Sequence, residues 1–215
     1  MNETTRLSPP GRPKGEYRSA KHGGCLMTLA AAVIGLGLTT SALAAATSYE
    51  LDPGHTWVVY EIVHFGTSTN RGRFPIKAGK VQIDVQAHTG QLDVTIDTSA
   101  PASGVPVLDR MMQGDNLFRS TEFPTARFVA TDMRFDGDKP AEIKGELTLL
   151  GATHPVTLKS QRFNCYTHTM LKREVCGGDF ETTIQRSRWG MGWGPHIVAD
   201  DVRLLIQVEA VKQVN

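Results

Sequence analysis

The sequence predicts an all-β domain, one antiparallel barrel or sandwich of about eight strands with a short helix and loop across one end. Three observations carry this. From Tyr49 onward the hydrophobic pattern repeats every second residue, the period of a strand with one wet face. Turn signals such as His88-Thr89-Gly90, Asp136-Gly137-Asp138 and Leu150-Gly151-Ala152 punctuate it. One stretch, Val105–Phe118, breaks the period, with Leu108, Met111 and Met112 at helical spacing and Gly114 after them.

The elements follow in order. In Thr56–Gly66, Val58, Tyr60, Ile62 and His64 share one face, and Glu61 marks the other as the wet one. Lys80–Gln86 aligns Val81, Ile83 and Val85, and Gln91–Thr98 aligns Leu92, Val94 and Ile96. Thr125–Phe135, which contains Phe128, is a weaker strand. Ala141–Gly151 aligns Ile143, Gly145, Leu147 and Leu149, and His154–Phe163 aligns Val156 and Leu158. Gly178–Ser187 aligns Phe180, Thr182, Ile184 and Arg186, and Asp201–Val211 aligns Val202, Leu204, Ile206 and Val208. In each strand the uncharged face is the inward one.

Composition bounds the rest. Of 215 residues, 21% are charged and 40% hydrophobic, which supports a core rather than disorder. Arg6, Arg12, Lys14, Arg18 and Lys21 against Glu3 and Glu16 give residues 1–44 a charge of +3, so the net +1 leaves −2 for the remainder. A nearly neutral domain has no footprint for nucleic acid, and no such partner is expected.

Residues 1–46 read as a signal peptide. A basic stretch leads to the apolar run Leu26–Leu38, and Ala42-Leu43-Ala44 or Ala44-Ala45-Ala46 fits a small-x-small cleavage site. The run is short for a bilayer crossing, so no membrane span is expected in the mature chain, which is expected in the periplasm or secreted. Cys25 precedes the apolar run, which is the wrong order for lipid attachment.

The histidines (His22, His55, His64, His88, His154, His168 and His196) show no metal-ligand spacing, and no nucleophile, phosphate-loop or dinucleotide motif is present. No metal, cofactor or catalytic residue is expected. Cys165 and Cys176 are the two cysteines of the mature chain. Two Cys and one His are too few soft ligands for a metal, and the spacing is not that of a redox pair. A hairpin turning at Met170-Leu171 would set them opposite each other, and export favours a structural disulfide.

Several segments resemble the YceI family. Tyr49–Phe74 carries Asp52-x-x-His55, His64-x-Gly66 and Gly72-x-Phe74; Phe123–Phe128 has the aromatic-Pro-x-Ala-x-Phe pattern. Gly145, Leu147, Thr148, Gly151, Pro155 and Val156 match its most recognisable segment, and Arg186-x-x-Trp189-Gly190 matches its C-terminal one. The likeness covers residues 48–212. It implies an eight-stranded, extended, lipocalin-like barrel holding a long-chain isoprenoid or acyl lipid. Many members carry His where Met111 stands, and only some carry the cysteine pair.

The period alone is met by a dry core as well as by a binding tunnel. The resemblance implies that Val58, Tyr60, Ile62, His64, Leu92, Val94, Phe128, Ile143, Leu147, Phe180, Ile184, Leu204 and Ile206 line a ligand site. Met111, Met112, Leu117 and Phe118 are expected to form an adaptable lid. Arg186 points inward by parity; it either pairs with an acid such as Asp109 or Glu142, or meets an acidic headgroup. The leading expectation is a non-catalytic exported lipid carrier, and a homodimer is allowed. Its alternatives are an enzyme acting on an isoprenoid or quinone-type lipid, and an empty structural envelope module.

Overall fold

A computed structural model describes residues 46–214. The leader and Cys25 lie outside the described residues. The elements are β1 (Thr47–Leu51), β2 (Trp57–His64), β3 (Ser68–Asp84), β4 (Thr89–Asp97), α1 (Pro106–Gln113), β5 (Thr125–Asp136), β6 (Lys139–Leu149), β7 (Ala152–Thr167), β8 (Glu174–Gln185), a 3-10 turn (Arg186–Trp189) and β9 (Val198–Lys212).

All ladders are antiparallel. The strands run β3-β2-β9-β8-β7-β6-β5-β4, and β4 pairs back onto β3, so eight staves close a barrel. The ninth strand, β1, is the far half of the β2 stave. It pairs with β3 through Tyr49↔Val81 and with β9 through Tyr49↔Lys212, beyond the stretch that β2 occupies. The stave breaks at Asp52–His55, where the Asp52 carboxylate accepts the Gly54 N–H and lies 2.8 Å from His55 Nδ1.

β1 is too short and the first half of β3 too polar to stand out in the pattern, and β5 reads as weak because a bulge breaks its period. A bulge between Ile76 and Ala78 moves the buried side of β3 from Phe74 and Ile76 to Val81 and Ile83. A second, between Ala130 and Asp132, moves that of β5 from Ala126, Phe128 and Ala130 to Met133. A third, between Ser160 and Arg162, does the same for β7. Each adds one residue and reverses the inward parity, which a strict two-residue period cannot follow. Val85, expected inside, lies beyond the end of β3 and is exposed.

The outward face is a charge ladder. Arg71 of β3, Glu61 of β2, Arg203 of β9 and Glu181 of β8 pair in sequence across four strands at 2.6, 3.2 and 2.6 Å. Arg71 and Arg203 together hold the Glu61 carboxyl below its usual range. Exposed pairs of this kind add little stability each, but they fix which face of the sheet is wet.

Two staves are laddered on both sides over only part of their length. β3 pairs with β2 through Ser68–Pro75 and with β4 through Ile76–Asp84. β7 pairs with β6 through Ala152–Lys159 and with β8 through Lys159–Thr167. At the α1 end, two seams therefore lack a ladder. The one beside β3 is strapped by reciprocal hydrogen bonds between Arg73 and Ala102, at 3.1 and 2.9 Å. The one between β7 and β8 is bordered by Trp189, which is buried and donates from Nε1 to the Leu147 carbonyl at 3.1 Å.

The far end is pinned by the expected hairpin. Cys165 faces Cys176 in register and is bonded to it. The hairpin tip is capped by His168, whose Nδ1 accepts the Met170 and Leu171 N–H groups at 3.3 and 3.2 Å. At the other end Tyr60 lies across Gly72, its cross-strand partner. A Cβ at Gly72 would stand 2.6 Å from the phenol ring and hydroxyl. The missing side chain lets an aromatic lie flat against the wall.

Two stability measurements test this account. Replacing both Cys165 and Cys176 by Ala releases a short loop and should cost about 2–3 kcal/mol, seen as a lower thermal midpoint. Gly72→Ala pushes a methyl into the Tyr60 ring and should cost about 1–3 kcal/mol in urea unfolding; an unchanged midpoint would show that the ring has room to move.

Candidate functional site

The barrel encloses two adjoining cavities, one of about 140 Å³ toward the disulfide and one of about 160 Å³ toward α1. They share Val58, Ile96, Leu147 and Leu204 as lining, so they are two swellings of one apolar interior. Leu92, Val94, Phe128, Ile143, Phe180 and Ile206 line the disulfide-side cavity; Tyr60, Ile62 and Ile184 line the other. All the expected interior residues are thus brought together except His64. The register slips between Ile62 and His64, and the His64 ring turns edge-on to Phe65, 4.7 Å away, at the β2–β3 turn.

Residues the sequence reading missed also line the interior. Tyr49 and Leu51 come from the unforeseen β1, and Ile76, Met133 and Phe163 from strands whose phase the bulges shift. The signal that could have found them is the apolar pair on each side of a one-residue slip.

Three of the polar tips at the wall are tied down by protein. Thr56 Oγ1 donates to the Glu209 carbonyl at 3.1 Å and Thr98 Oγ1 to that of Phe123 at 2.7 Å. The Tyr60 hydroxyl donates to Met112 Sδ at 3.2 Å. Burial, with Asp109 nearby, pushes its phenol up to about 12, so it stays a donor. The surface offered to a guest is mostly hydrocarbon. Apolar space of this size has nothing to hold water and takes an apolar guest instead.

The four residues expected to form a lid lie together. Met111, Met112, Leu117 and Phe118 all line the α1-side cavity. Pro106 opens the helix at its first turn without a side-chain cap, and Ser103 donates from its N–H and Oγ to Asp109 at 2.8 and 2.6 Å. Met112 is 6% exposed and Met111 44%, so one thioether is anchored and the other half out. An aromatic chain joins lid to wall: Tyr60 and Phe74 are 5.8 Å apart, Phe74 and Phe118 4.9 Å.

Arg186 lines the same cavity and is 4% exposed. It opens the 3-10 turn after β8 and has neither acidic partner expected for it. Glu142 pairs with Arg134 at 3.3 Å, and Asp109 is held by Ser103. Arg186 instead donates to three carbonyls: Nε to Ala199 at 2.9 Å, Nη1 to Met191 at 2.6 Å and Nη2 to Val198 at 3.2 Å. Carbonyl dipoles replace a counter-ion because the chain from Met191 to Ala199 wraps the guanidinium. Burial lowers its pKa and Asp200 partly restores it.

Among the described residues no group of three or more His, Cys, Asp or Glu is placed to hold a metal. Among them, too, no helix is long and apolar enough to cross a membrane.

Comparison with known proteins agrees with this architecture. The YceI-like domain matches residues 49–210. A UPF0312 protein of Pseudomonas putida is 30% identical over 189 residues, covering 86% of this chain and 97% of its own. One from Pseudomonas aeruginosa is 30% identical over 191 residues, covering 86% and 98%. Among solved structures, BcnA of Burkholderia cenocepacia superposes with a TM-score of 0.61 at 21% identity, over 74% of this chain and 98% of that one. A polyisoprenoid binding domain from Saccharophagus degradans gives 0.55 at 16% identity, over 77% and 98%. With its closed barrel and a domain match spanning β1 to β9, the chain belongs to the YceI-like family.

Proposed function

We propose that the protein is an exported, non-catalytic carrier whose barrel sequesters the tail of a long amphiphilic lipid, an isoprenoid or acyl chain. The observation that carries this is the predominantly hydrocarbon lining that runs through both cavities, with the thioethers of Met111 and Met112 at the α1 end. β9, at 15 residues, is about 45–50 Å long, or about 35 Å along a barrel axis at ordinary tilt. That length suits an extended chain better than a compact ligand. Each buried methylene contributes about 0.8 kcal/mol, so affinity accrues along the tail. The Saccharophagus degradans domain, described as polyisoprenoid binding, supports the isoprenoid class. The leader pattern and the Cys165–Cys176 bond fit an oxidising compartment such as the periplasm.

Native protein taken from the periplasmic fraction, extracted with organic solvent and analysed by mass spectrometry, should yield lipid at about one molecule per chain. Leu204→Trp, placed where the two cavities meet, should abolish that recovery while the chain stays folded. Recovery of no lipid from the native protein would favour an empty module, and a lipid altered over time an enzyme.

Arg186 is the group in the α1-side cavity suited to an acidic headgroup. Three of its five N–H groups go to carbonyls, leaving two. Arg186→Met should reduce the preference for a polyprenyl phosphate over the matching polyprenol by about ten-fold, about 1.4 kcal/mol. An unchanged preference would make Arg186 only a brace for the Met191–Ala199 chain.

A further inference from the structure

The seam between β7 and β8 is more than a packing detail. From Ala152 to Leu158 on one side, and from Thr182 to Gln185 on the other, the strands carry no cross-strand pairs with each other. A cleft of about 420 Å³ lies there. Its lining includes residues of both parities, inward Val156 and Ile184 and outward Thr157 and Thr183. The cleft is therefore in the wall itself. Val156 and Thr182 also line the disulfide-side cavity, and Ile184 the α1-side one. Side chains alone, with no hydrogen-bonded ladder, separate it from the apolar interior.

The chemistry of the cleft grades from floor to rim. Val156 and Ile184 are buried at the base, while Thr157, Thr183, Gln185, Arg188 and Asp201 are exposed around it. Among the described residues neither Arg188 nor Asp201 has an ion-pair partner. The rim thus offers a guanidinium donor, a carboxylate acceptor, an amide and hydroxyls, with no net charge. The position of Arg188 is fixed from behind. His154 Nε2 lies 2.8 Å from the Arg188 carbonyl, the His154 ring meets Trp189 edge-on at 5.0 Å, and the indole N–H is bonded to Leu147.

We propose that this wall cleft is a second headgroup site, distinct from Arg186, and that it takes the uncharged, hydroxyl-bearing headgroup of a lipid without an acidic group while the tail lies in the barrel. This rests on the carrier reading above and adds the place and class of the headgroup. A balanced donor and acceptor set matches a group that both gives and receives hydrogen bonds. A phosphate would meet the Asp201 carboxylate, so the cleft selects against the headgroup that suits Arg186. Only side chains, with Val156 and Ile184 at the floor, stand between the cleft and the two cavities, so their rotation would let one molecule place its polar end in the wall and its chain inside without crossing the lid.

The test is competition of a bound fluorescent acyl probe by a polyprenol and by the parent hydrocarbon of equal chain length, on the full mature chain. The wild type should prefer the alcohol. Arg188→Ala and Asp201→Ala should each cut that preference by three- to ten-fold, and Thr183→Trp, which fills the cleft from its exposed rim, should remove it. All three side chains are exposed, so the variants keep the fold; a thermal midpoint confirms it. A wild-type preference retained in all three variants overturns the cleft as headgroup site while leaving the carrier reading intact. Displacement of the probe by neither competitor overturns the carrier reading, and the headgroup site with it.

Discussion

The ladder between β4 and the second half of β3 is what gives the molecule an inside. Without it the eight staves would be an open sheet, and one face of β2, β4, β6 and β9 would carry an uncovered apolar surface. Closing it removes both edges at once and turns that surface into a lined space. The other features answer to this closure. β1 completes the stave that β2 leaves short, the charge ladder through Glu61 and Arg203 keeps the outer face wet, and α1 covers the end where the staves run out.

Closure also makes parity the governing variable. In a barrel, a side chain is either lining or surface, and one extra residue in a strand exchanges the two. Where no bulge intervenes, the sequence is a direct guide. Val58, Tyr60 and Ile62 are inward because Glu61 is outward, and the long uncharged faces of β6 and β9 land where their period puts them. Where a bulge intervenes, the period misleads. β5 looks irregular because it is two regular pieces out of phase, and His64 leaves the interior at the slip beside Ile62. The Pro75 and Gly72 positions hid the first half of β3 for a related reason. Its regularity comes from pairing and from the Tyr60 ring, not from its own side chains.

The candidate site divides along the same line. Its hydrocarbon lining and its Met-rich cover were legible, because both are written in local spacing. The environment of Arg186 was not, because three backbone carbonyls contributed by residues five to thirteen positions away solvate it, and no sequence pattern announces a carbonyl. The β7–β8 cleft was equally hidden. Nothing in the composition of Thr157 or Thr183 says that their strands part company there; only the stagger of the whole barrel decides it.

The half-laddered lengths of β3 and β7 have a mechanical meaning. The two staves stand opposite each other in the ring. At the α1 end the wall is therefore two separate shells, one running from β3 through β2 and β9 to β8, the other from β7 through β6 and β5 to β4. At the disulfide end the same shells are clasped by the β3–β4 and β7–β8 ladders and by the Cys165–Cys176 bond. The molecule is built like a clothes peg, with a stapled spring at one end and jaws at the other. Between the jaws stand the Arg73–Ala102 strap, the Trp189–Leu147 and His154–Arg188 bonds and the Tyr60–Met112 bond, with no ladder, so the calibre of the bore there rests on side chains rather than on the strand ladders.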